Sequence, residues 1–215
     1  EAHSIYARIV QHLQQGDLET PSEDIIPRLR DVAQRISGYE TFGIVPKLDI
    51  QSMIDSVERL PSQKQSIVAK VLGPYVESLE QRINEHNRLK DVLEAFTSIL
   101  NDFYSHKRVG YSLSSGISIS LDQGRGALSP SGLSSGERQL LVLFSNIVSL
   151  RGVPSILLID EPELSLNPTW QRKLFPALYR FVKDAEIQII CATHSMEILA
   201  QNSESVKELK DLASH

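Results

Sequence analysis

The apolar positions of the first hundred residues recur every three or four residues, which is the spacing of one face of an α-helix. Residues 5–13 predict a first helix, which Gly16 ends. A second amphipathic helix is predicted over residues 25–36, and a short third one over residues 49–60. The N-terminal part of the chain is therefore expected to be helical.

The longest predicted helix follows Gly73-Pro74 and ends near Phe103. Its apolar residues lie three or four positions apart, and charged residues occupy its other faces. At 1.5 Å per residue, about 30 residues make a rod of roughly 45 Å. The pattern fits one leg of a helical bundle, and it also fits the returning leg of an antiparallel coiled-coil arm.

The pattern changes after the long helix. Alternating positions over residues 109–121 predict β-structure, and the Gly/Ser/Pro-rich residues 124–131 predict a loop. Helices and strands then alternate, in the order helix 135–150, strand 155–160, helix 168–182, strand 187–193 and a last helix. The strands are nearly continuous apolar runs, which indicates a parallel sheet covered on both faces. We place the domain boundary near residue 107, between a helical region (1–107) and an α/β lobe (108–215).

Composition excludes several classes of protein. The 215 residues are 41% hydrophobic and 23% charged, which fits neither wholesale disorder nor a fibrous repeat. No apolar run approaches the roughly 20 residues of a membrane span. The single cysteine, Cys191, makes a reducing, cytoplasmic compartment the expectation. With a net charge of −5, nucleic-acid binding needs a local basic patch, and Arg28, Arg30 and Arg35 are interrupted by Asp31, which favours a solvated face.

Two adjacent carboxylates follow the first parallel strand. Asp160 and Glu161 repel each other and lose hydration at the end of an apolar strand unless a cation or a polarised water offsets that cost. Mg²⁺ is held by such a carboxylate, and phosphate hydrolysis needs a residue that positions water beside it. The alternative is a strand that ends in a polar turn, with one of the acids capping the next helix.

Polar residues also mark the start of the helix before this strand and the end of the second strand. Ser134 and Glu137 have the spacing of a capping box, and the N–H groups of such a helix N-terminus can bind an anion or be merely capped. His194 ends the second strand, and two parallel strands joined by one helix are expected to be neighbours. His194 is then either a satisfied polar residue or a γ-phosphate sensor beside Asp160 and Glu161.

Together these segments resemble the ABC-type ATPases. Leu133–Gln139 (LSSGERQ) resembles the signature motif, Ile156–Glu161 the Walker B strand, Ser165–Pro168 the D-loop, and His194 the switch histidine. The residues of these motifs are closer to those of the branch of SMC, RecF and OLD proteins than to those of transporters. The resemblance covers about residues 110–202. It implies the C-terminal lobe of a P-loop ATPase, with a parallel sheet flanked by helices and a helical arm inserted before the signature.

The resemblance also implies roles for single residues. Asp160 would hold Mg²⁺ through water, Glu161 would polarise the attacking water, and His194 would contact the γ-phosphate of ATP. The signature residues would cap the nucleotide that a second head holds, so that two heads dimerise around Mg-ATP. The cofactor-binding residues implied by these motifs are Ser134, Ser135, Gly136, Glu137 and Asn167.

The sequence departs from the family pattern at four points. Ser135 stands where the first signature glycine is usual, Glu137 stands where transporters carry glutamine, and Asn167 replaces the D-loop aspartate. No Gly-x-x-x-x-Gly-Lys-Ser/Thr phosphate loop occurs in the 215 residues. Because the chain also opens at Glu1 inside a predicted helix, we expect the phosphate loop to lie in a missing N-terminal segment and the chain alone to be inactive.

The resemblance predicts an ATPase that gates a DNA-repair or anti-phage defence complex. Its expected partners are a second head, a separate nuclease or effector protein, and DNA or RNA, with no membrane. The alternative is a non-hydrolysing scaffold that keeps the ABC fold and its dimer surface. The missing phosphate loop favours the scaffold, whereas the intact Asp160-Glu161 pair and His194 favour the enzyme.

Overall fold

A computed structural model of the chain describes residues 24–122 and 126–208. The helix predicted over residues 5–13 and the loop residues 124 and 125 lie outside them. The described chain forms two compact units. One comprises residues 24–93 with Tyr111–Gly116, and the other comprises Glu94–Gly110 with residues 117–208. The division falls inside the long helix, whereas the sequence predicted a boundary near residue 107.

The first unit is helical. It contains α1 (Ile25–Thr41), α2 (Ile50–Glu58) and the N-terminal part of α3 (Ser62–Phe103). Asp24 and Asp49 cap α1 and α2, because each carboxylate accepts a hydrogen bond from a backbone N–H of the first turn. The three helices share one core, so in this unit α3 is a leg of a helical bundle. The core residues are Ile25, Leu29, Val32, Ile36, Tyr39, Val45, Ile50, Ile54, Val57, Ala69, Val76, Leu79 and Ile83.

The helix α3 begins earlier than predicted. It has 42 residues, starts at Ser62 and contains Pro74. A proline inside a helix removes one hydrogen bond and costs about 3 kcal/mol. Ala69 and Val76, on either side of Pro74, belong to the helical core. The prediction that the helix follows Gly73-Pro74 is wrong because core packing outweighs this local cost.

The three arginines of α1 are used inside the helical unit. Each one is paired with a side chain of that unit, so their positive charge is offset locally rather than gathered in a basic patch. The pairs are Arg28 with Glu80 at 2.6 Å, Arg30 with Glu58 at 2.5 Å, and Arg35 with Asp31 at 3.1 Å and Asn84 at 2.6 Å.

The second unit has the α/β architecture that the sequence predicted. After α3, the strands β1 (Lys107–Ser112) and β2 (Gly116–Leu121) form a two-stranded sheet, whose turn and adjoining residues, Tyr111–Gly116, are assigned to the first unit. The rest of the unit alternates helix and strand: α4 (Ser135–Leu150), β3 (Ser155–Asp160), α5 (Pro168–Val182), β4 (Ile187–Ala192) and α6 (Met196–Gln201). The strands β3 and β4 are parallel and run in register from Ser155 opposite Ile187 to Asp160 opposite Ala192.

The core of the second unit explains where the two units divide. The last turns of α3 pack in this core through Phe96, Ile99, Leu100 and Phe103, together with residues of α4 and α5. Helical periodicity continues unbroken along α3, so the sequence does not reveal that its apolar residues serve two cores. The main contributors from α4 and α5 are Leu140, Phe144, Ile147, Leu174, Leu178 and Phe181.

The β3–β4 sheet is packed on one face only. The side chains of Leu157, Ile159, Ile187 and Ile189 lie against the core. On the other face Ile156 is 63% exposed, Leu158 72% and Ile190 50%. The prediction that both faces are covered is therefore wrong for the described residues, although the α/β fold class is confirmed. No helix in residues 24–122 and 126–208 has the length and apolarity needed to cross a membrane.

Candidate functional site

The carboxyl end of β3 carries the two adjacent acids. Asp160 is the last residue of the strand and its side chain is exposed. Glu161 is half-buried, and its N–H donates to the carbonyl of Ala192 at 2.8 Å. The φ angle of Glu161 is 45°, in the left-handed region that non-glycine residues rarely adopt. Such strain costs roughly 1–3 kcal/mol and persists only where surrounding contacts impose it.

The segment after β4 lies at the same sheet edge, as the sequence predicted for His194. The N–H groups of His194 and Ser195 donate to Glu163 Oε1 at 2.8 and 3.1 Å. The side chain of His194 is exposed. Glu163 therefore joins the segment that follows Asp160 and Glu161 to the segment that carries His194. Sequence reasoning missed Glu163, because its partners lie 31 and 32 positions away.

The environment of Glu163 favours its charged form. Burial acts to raise its pKa, but hydrogen bonds from the Thr193 hydroxyl and from the backbone N–H groups of residues 163, 194 and 195 outweigh burial. The net result is a pKa below the ordinary value of 4.5. The carboxylate is thus a charged acceptor for the backbone at the end of β4.

The first turn of α4 presents two serines. Ser134 Oγ accepts a hydrogen bond from the N–H of Glu137 at 3.3 Å, and Glu137 Oε2 accepts one from the N–H of Ser134 at 2.7 Å. This is the capping box that the sequence predicted. Ser134 and Ser135 are exposed, whereas Gly136 and Glu137 are buried. Of these four residues, the serines are the ones whose side chains can reach a ligand at this helix N-terminus.

Glu137 is directed inward. It is 6% exposed, and its Oε2 also accepts a hydrogen bond from Lys107 Nζ at 2.7 Å. Its carbonyl oxygen accepts a hydrogen bond from the Tyr104 hydroxyl at 2.5 Å. Burial acts to raise the pKa of Glu137, but the hydrogen bonds from Lys107 and Ser134 and the charge of Lys107 hold it below the ordinary 4.5. Its contacts hold the first turn of α4, residues 134–137, in place. We call these residues the serine turn.

The segment 165–168 packs directly against this turn. A Cβ atom on Gly136 would lie 2.6 Å from the carbonyl oxygen of Ser165, so only glycine fits there. Ser165 has a φ of 63°, a second left-handed residue in the stretch that follows β3. Asn167 Oδ1 accepts a hydrogen bond from the N–H of Trp170 at 2.9 Å and caps α5. The structure thus gives Asn167 a capping contact, and it brings the first turn of α4 and the segment 165–168 together.

An open cavity of about 510 Å³ lies between α4 and β3. Its volume falls within the 300–1,000 Å³ of ordinary small-molecule sites. Polar residues of α4 and of the end of β3 contribute to the lining, together with apolar residues of both elements. The polar lining residues are Ser135, Arg138, Gln139, Asn146 and Asp160.

A self-contained metal site is not formed within residues 24–122 and 126–208, because no three His, Cys, Asp or Glu side chains are grouped there to hold an ion. Mg²⁺ does not need such a group, since it is usually bound by one or two carboxylates, water and substrate phosphates. The exposed carboxylate of Asp160 at the cavity fits that coordination chemistry. Asp160 is accordingly a suitable ligand for a cation that arrives with phosphate.

The environment of the single cysteine favours its thiol over its thiolate. Cys191 is half-buried on β4. Burial, together with the negative charges of Glu163 and Asp160, raises the pKa of its thiol to about 11. The thiolate, which is the nucleophile and metal ligand, is therefore scarce.

The family is shown by comparison with known proteins. A family model described as "AAA domain, putative AbiEii toxin, Type IV TA system" matches residues 47–200. The chain belongs to this family. The match includes the serine turn, the acids after β3 and His194, and the family is one of ABC-type ATPase domains.

Individual relatives match over shorter stretches. The lipoprotein-releasing system ATP-binding protein LolD 2 of Caulobacter vibrioides is 35% identical over 82 residues, which are 38% of this chain and 34% of that protein. The corresponding LolD protein of Ruegeria pomeroyi is 32% identical over 85 residues, or 40% and 36% of the two chains. The chain spans about a third of the length of the curated relatives it matches. A solved structure of an SmcHead bound to the C-winged helix domain of ScpA is similar at a TM-score of 0.41 and 18% identity, over 58% of this chain and 39% of that one.

Proposed function

We propose that the chain is the signature and Walker B part of an ABC-type ATPase head, which closes on Mg-ATP against a second head. The observation that carries this proposal is the parallel pairing of β3 with β4. In that register Asp160 lies opposite Ala192, so Asp160, Glu161 and His194 follow two neighbouring strands at one sheet edge. Ligands of open α/β sheets bind at the carboxyl ends of their strands.

The roles follow from the chemistry of the three side chains. Bound Mg-ATP would supply the γ-phosphoryl group and the cation that offsets its developing charge. The exposed carboxylate of Asp160 would hold the cation. Glu161 accepts a proton from the attacking water and orients it. His194, exposed after β4, donates a hydrogen bond to the γ-phosphate.

The proposal of a second head is supported by the exposure of the serine turn. Ser134 and Ser135 are exposed at the N-terminus of a 16-residue helix, where backbone N–H groups and the helix dipole favour an anion. Gly136 keeps this turn close to Ser165, and Glu137 caps it from inside. We propose that the turn covers the nucleotide of the partner head, in a homodimer or a higher oligomer.

The phosphate loop is proposed to come from polypeptide that this sequence does not contain. The exposed face of β3–β4 supports such a complement, since Ile156, Leu158 and Ile190 form an apolar surface that a folded ATPase head would cover. On this proposal the chain alone binds ATP weakly and is inactive. The complete head is the hydrolysing unit.

The biological setting is proposed from the family. The family description names a type IV toxin–antitoxin system, which favours anti-phage defence over DNA repair. We propose a cytoplasmic complex in which nucleotide-dependent closure of two heads controls a separate nuclease or effector protein. DNA or RNA is a further candidate partner, although the arginines of α1 are engaged in ion pairs.

The alternative is a scaffold that keeps the dimer surface without hydrolysis. The observation that favours it is the absence of a phosphate-loop motif from the 215 residues. The two proposals differ in what the natural protein carrying this chain does with ATP. A scaffold neither hydrolyses ATP nor depends on Glu161.

Glu161→Gln in the natural protein tests the proposal. The substitution keeps the shape of the side chain and removes the proton acceptor, so we expect steady-state ATP hydrolysis to fall by about 10²–10⁴. ATP binding should persist, and the closed dimer should accumulate in sedimentation experiments. Glu186→Gln, just before β4 and at the opposite end of the sheet from the acids, is the matched control and should leave hydrolysis unchanged. Near-normal turnover in Glu161→Gln would exclude Glu161 from catalysis.

A further inference from the structure

A closed ring of hydrogen bonds joins the segment after β3, the helix α5 and the segment after β4. Glu163 Oε1 accepts hydrogen bonds from the N–H groups of His194 at 2.8 Å and Ser195 at 3.1 Å. The Ser195 hydroxyl donates to Gln171 Oε1 at 2.6 Å, and Gln171 Nε2 donates to the carbonyl of Leu166 at 2.9 Å. The N–H of Leu166 donates to the carbonyl of Glu163 at 2.9 Å and closes the ring.

Glu163 is the charged member of this ring. Hydrogen bonds to an ionised acceptor are roughly twice as strong as neutral ones. The bonds from the His194 and Ser195 N–H groups to the Glu163 carboxylate are therefore the strongest in the ring. The Thr193 hydroxyl also hydrogen-bonds this carboxylate, which favours its charged form.

The ring also determines which atoms of the segment after β4 are held by hydrogen bonds and which are exposed. Ser195 is the N-cap of α6, because its hydroxyl accepts a hydrogen bond from the N–H of Ile198 at 3.3 Å. The backbone at Ser195 is thus held by α6 on one side and by Glu163 on the other. His194, immediately before it, has its N–H bound and its imidazole exposed. The backbone is fixed while the side chain remains available to a ligand.

We propose that Glu163 is a positioning residue that fixes the backbone of His194 and thereby aims its imidazole at the reacting phosphate. The contact between His194 and phosphate rests on the proposed function. The hold of Glu163 on the backbone rests on the contacts described here. Glu163 does not touch the nucleotide, so its contribution passes through His194.

Glu163→Gln in the natural protein carrying this chain is the test, because the amide keeps the size of the side chain and replaces a charged acceptor by a neutral one. We expect kcat for ATP hydrolysis to fall about tenfold, with KM for ATP changed less than about twofold. Hydrogen–deuterium exchange should increase at the amides of His194 and Ser195. Glu186→Gln, a carboxylate at the other end of the sheet, should change neither measurement.

A double variant decides whether Glu163 acts through His194. If it does, Glu163→Gln lowers kcat in the wild-type background and has no further effect in a His194→Ala background. A tenfold loss in both backgrounds would overturn the proposal. Unchanged exchange at the His194 and Ser195 amides would also overturn it.

Failure of the proposed function gives a different result. If the natural protein does not hydrolyse ATP, or if His194→Ala leaves kcat unchanged, then the phosphate-contacting role of His194 is wrong. Hydrogen–deuterium exchange then tests whether Glu163 fixes the backbone of His194. Faster exchange at the His194 and Ser195 amides in Glu163→Gln supports that contact, and unchanged exchange refutes it. If Glu163→Gln does not fold, Glu163→Asp takes its place in the same measurements. Asp keeps the charge on a shorter side chain, so we expect an intermediate effect.

Discussion

Lys107 Nζ donates a hydrogen bond to Glu137 Oε2 at 2.7 Å, so a side chain of β1 neutralises the carboxylate in the first turn of α4. The same ammonium donates to the carbonyl of Gly132 at 3.0 Å, just before that turn. The side chains of Lys107 and Glu137 are only 19% and 7% exposed. The proposed nucleotide-capping turn is therefore held from within by a largely buried ion pair.

Lys107→Met should destabilise the protein strongly, because it leaves the Glu137 carboxylate buried without its cation. Loss of one partner from a buried ion pair costs about 3–5 kcal/mol. The matched control is the neighbouring Arg108→Met, whose exposed pair with Asp122 is worth about 1 kcal/mol or less. Urea unfolding of both variants measures the difference. Equal losses would show that the Lys107–Glu137 pair is no more important than a surface pair.

The acid sensitivity of folding should depend on Glu137. Its folded-state pKa lies below the ordinary 4.5, so the folded state binds fewer protons than the unfolded state at acidic pH. The stabilisation is complete above the ordinary value and is lost as pH falls through the lower, folded value. Glu137→Gln should lower the free energy of unfolding at neutral pH and lose less of it between about pH 6 and pH 3. Parallel pH curves for the variant and wild type would contradict this assignment.

The local features of the fold were predictable from the sequence, because their causes lie within a few residues. The capping box at Ser134 and Glu137 follows from their three-residue spacing, and the apolar runs locate β3 and β4. The nearness of His194 to Asp160 follows from the rule that two parallel strands joined by one helix are neighbours. These elements needed no information about distant partners.

The missed features depend on residues far apart in the chain. Lys107 and Glu163 reach their partners across about 30 positions, and no local spacing predicts such contacts. Pro74 marked a false helix start because the packing of its neighbours into the helical core could not be anticipated. The exposed face of β3 was missed for a related reason: Leu158 is as apolar as a buried residue, and the sequence does not say what covers it.

Gly136→Ala should displace the serine turn from the segment 165–168. The new Cβ would lie 2.6 Å from the carbonyl oxygen of Ser165, a backbone atom that cannot rotate away. Overpacking of this kind costs about 1–3 kcal/mol, and thermal unfolding should show it. Gly152→Ala is the control, because no atom of the described residues beyond its chain neighbours lies within 4 Å of the place its Cβ would take. If both variants melt alike, the close packing at Gly136 is not needed for stability.

Asp160→Asn should weaken the binding of Mg-ATP to the natural protein rather than affect turnover alone. Removing the charge from the proposed cation ligand should reduce affinity about tenfold, the equivalent of one charge-assisted contact. Calorimetry with Mg²⁺, and again with excess chelator, separates the binding of Mg-ATP from the binding of metal-free ATP. Without Mg²⁺, the variant and wild type should bind ATP alike. Unchanged affinity in the presence of Mg²⁺ would remove Asp160 from the metal site.

Ser134 separates the structural and functional roles of the first turn of α4. If Ser134 is only a helix cap, Ser134→Ala costs about 1 kcal/mol of stability and leaves ATP-dependent dimerisation intact. If the serine also contacts the nucleotide of a second head, dimerisation weakens while ATP binding to the single head persists. The side chain is exposed, so a larger residue can be accommodated without disturbing the core.

Ser134→Arg in a Glu161→Gln background gives the sharpest contrast in the natural protein. The bulky side chain at an exposed helix N-terminus should block a neighbouring head, so sedimentation with ATP should show monomers where the Glu161→Gln parent shows dimers. The cationic side chain also opposes the positive end of the α4 dipole, so the melting temperature is measured alongside to separate poor folding from failed assembly. If the variant is folded and still dimerises with ATP, the turn does not lie at the dimer interface, and the scaffold alternative gains support.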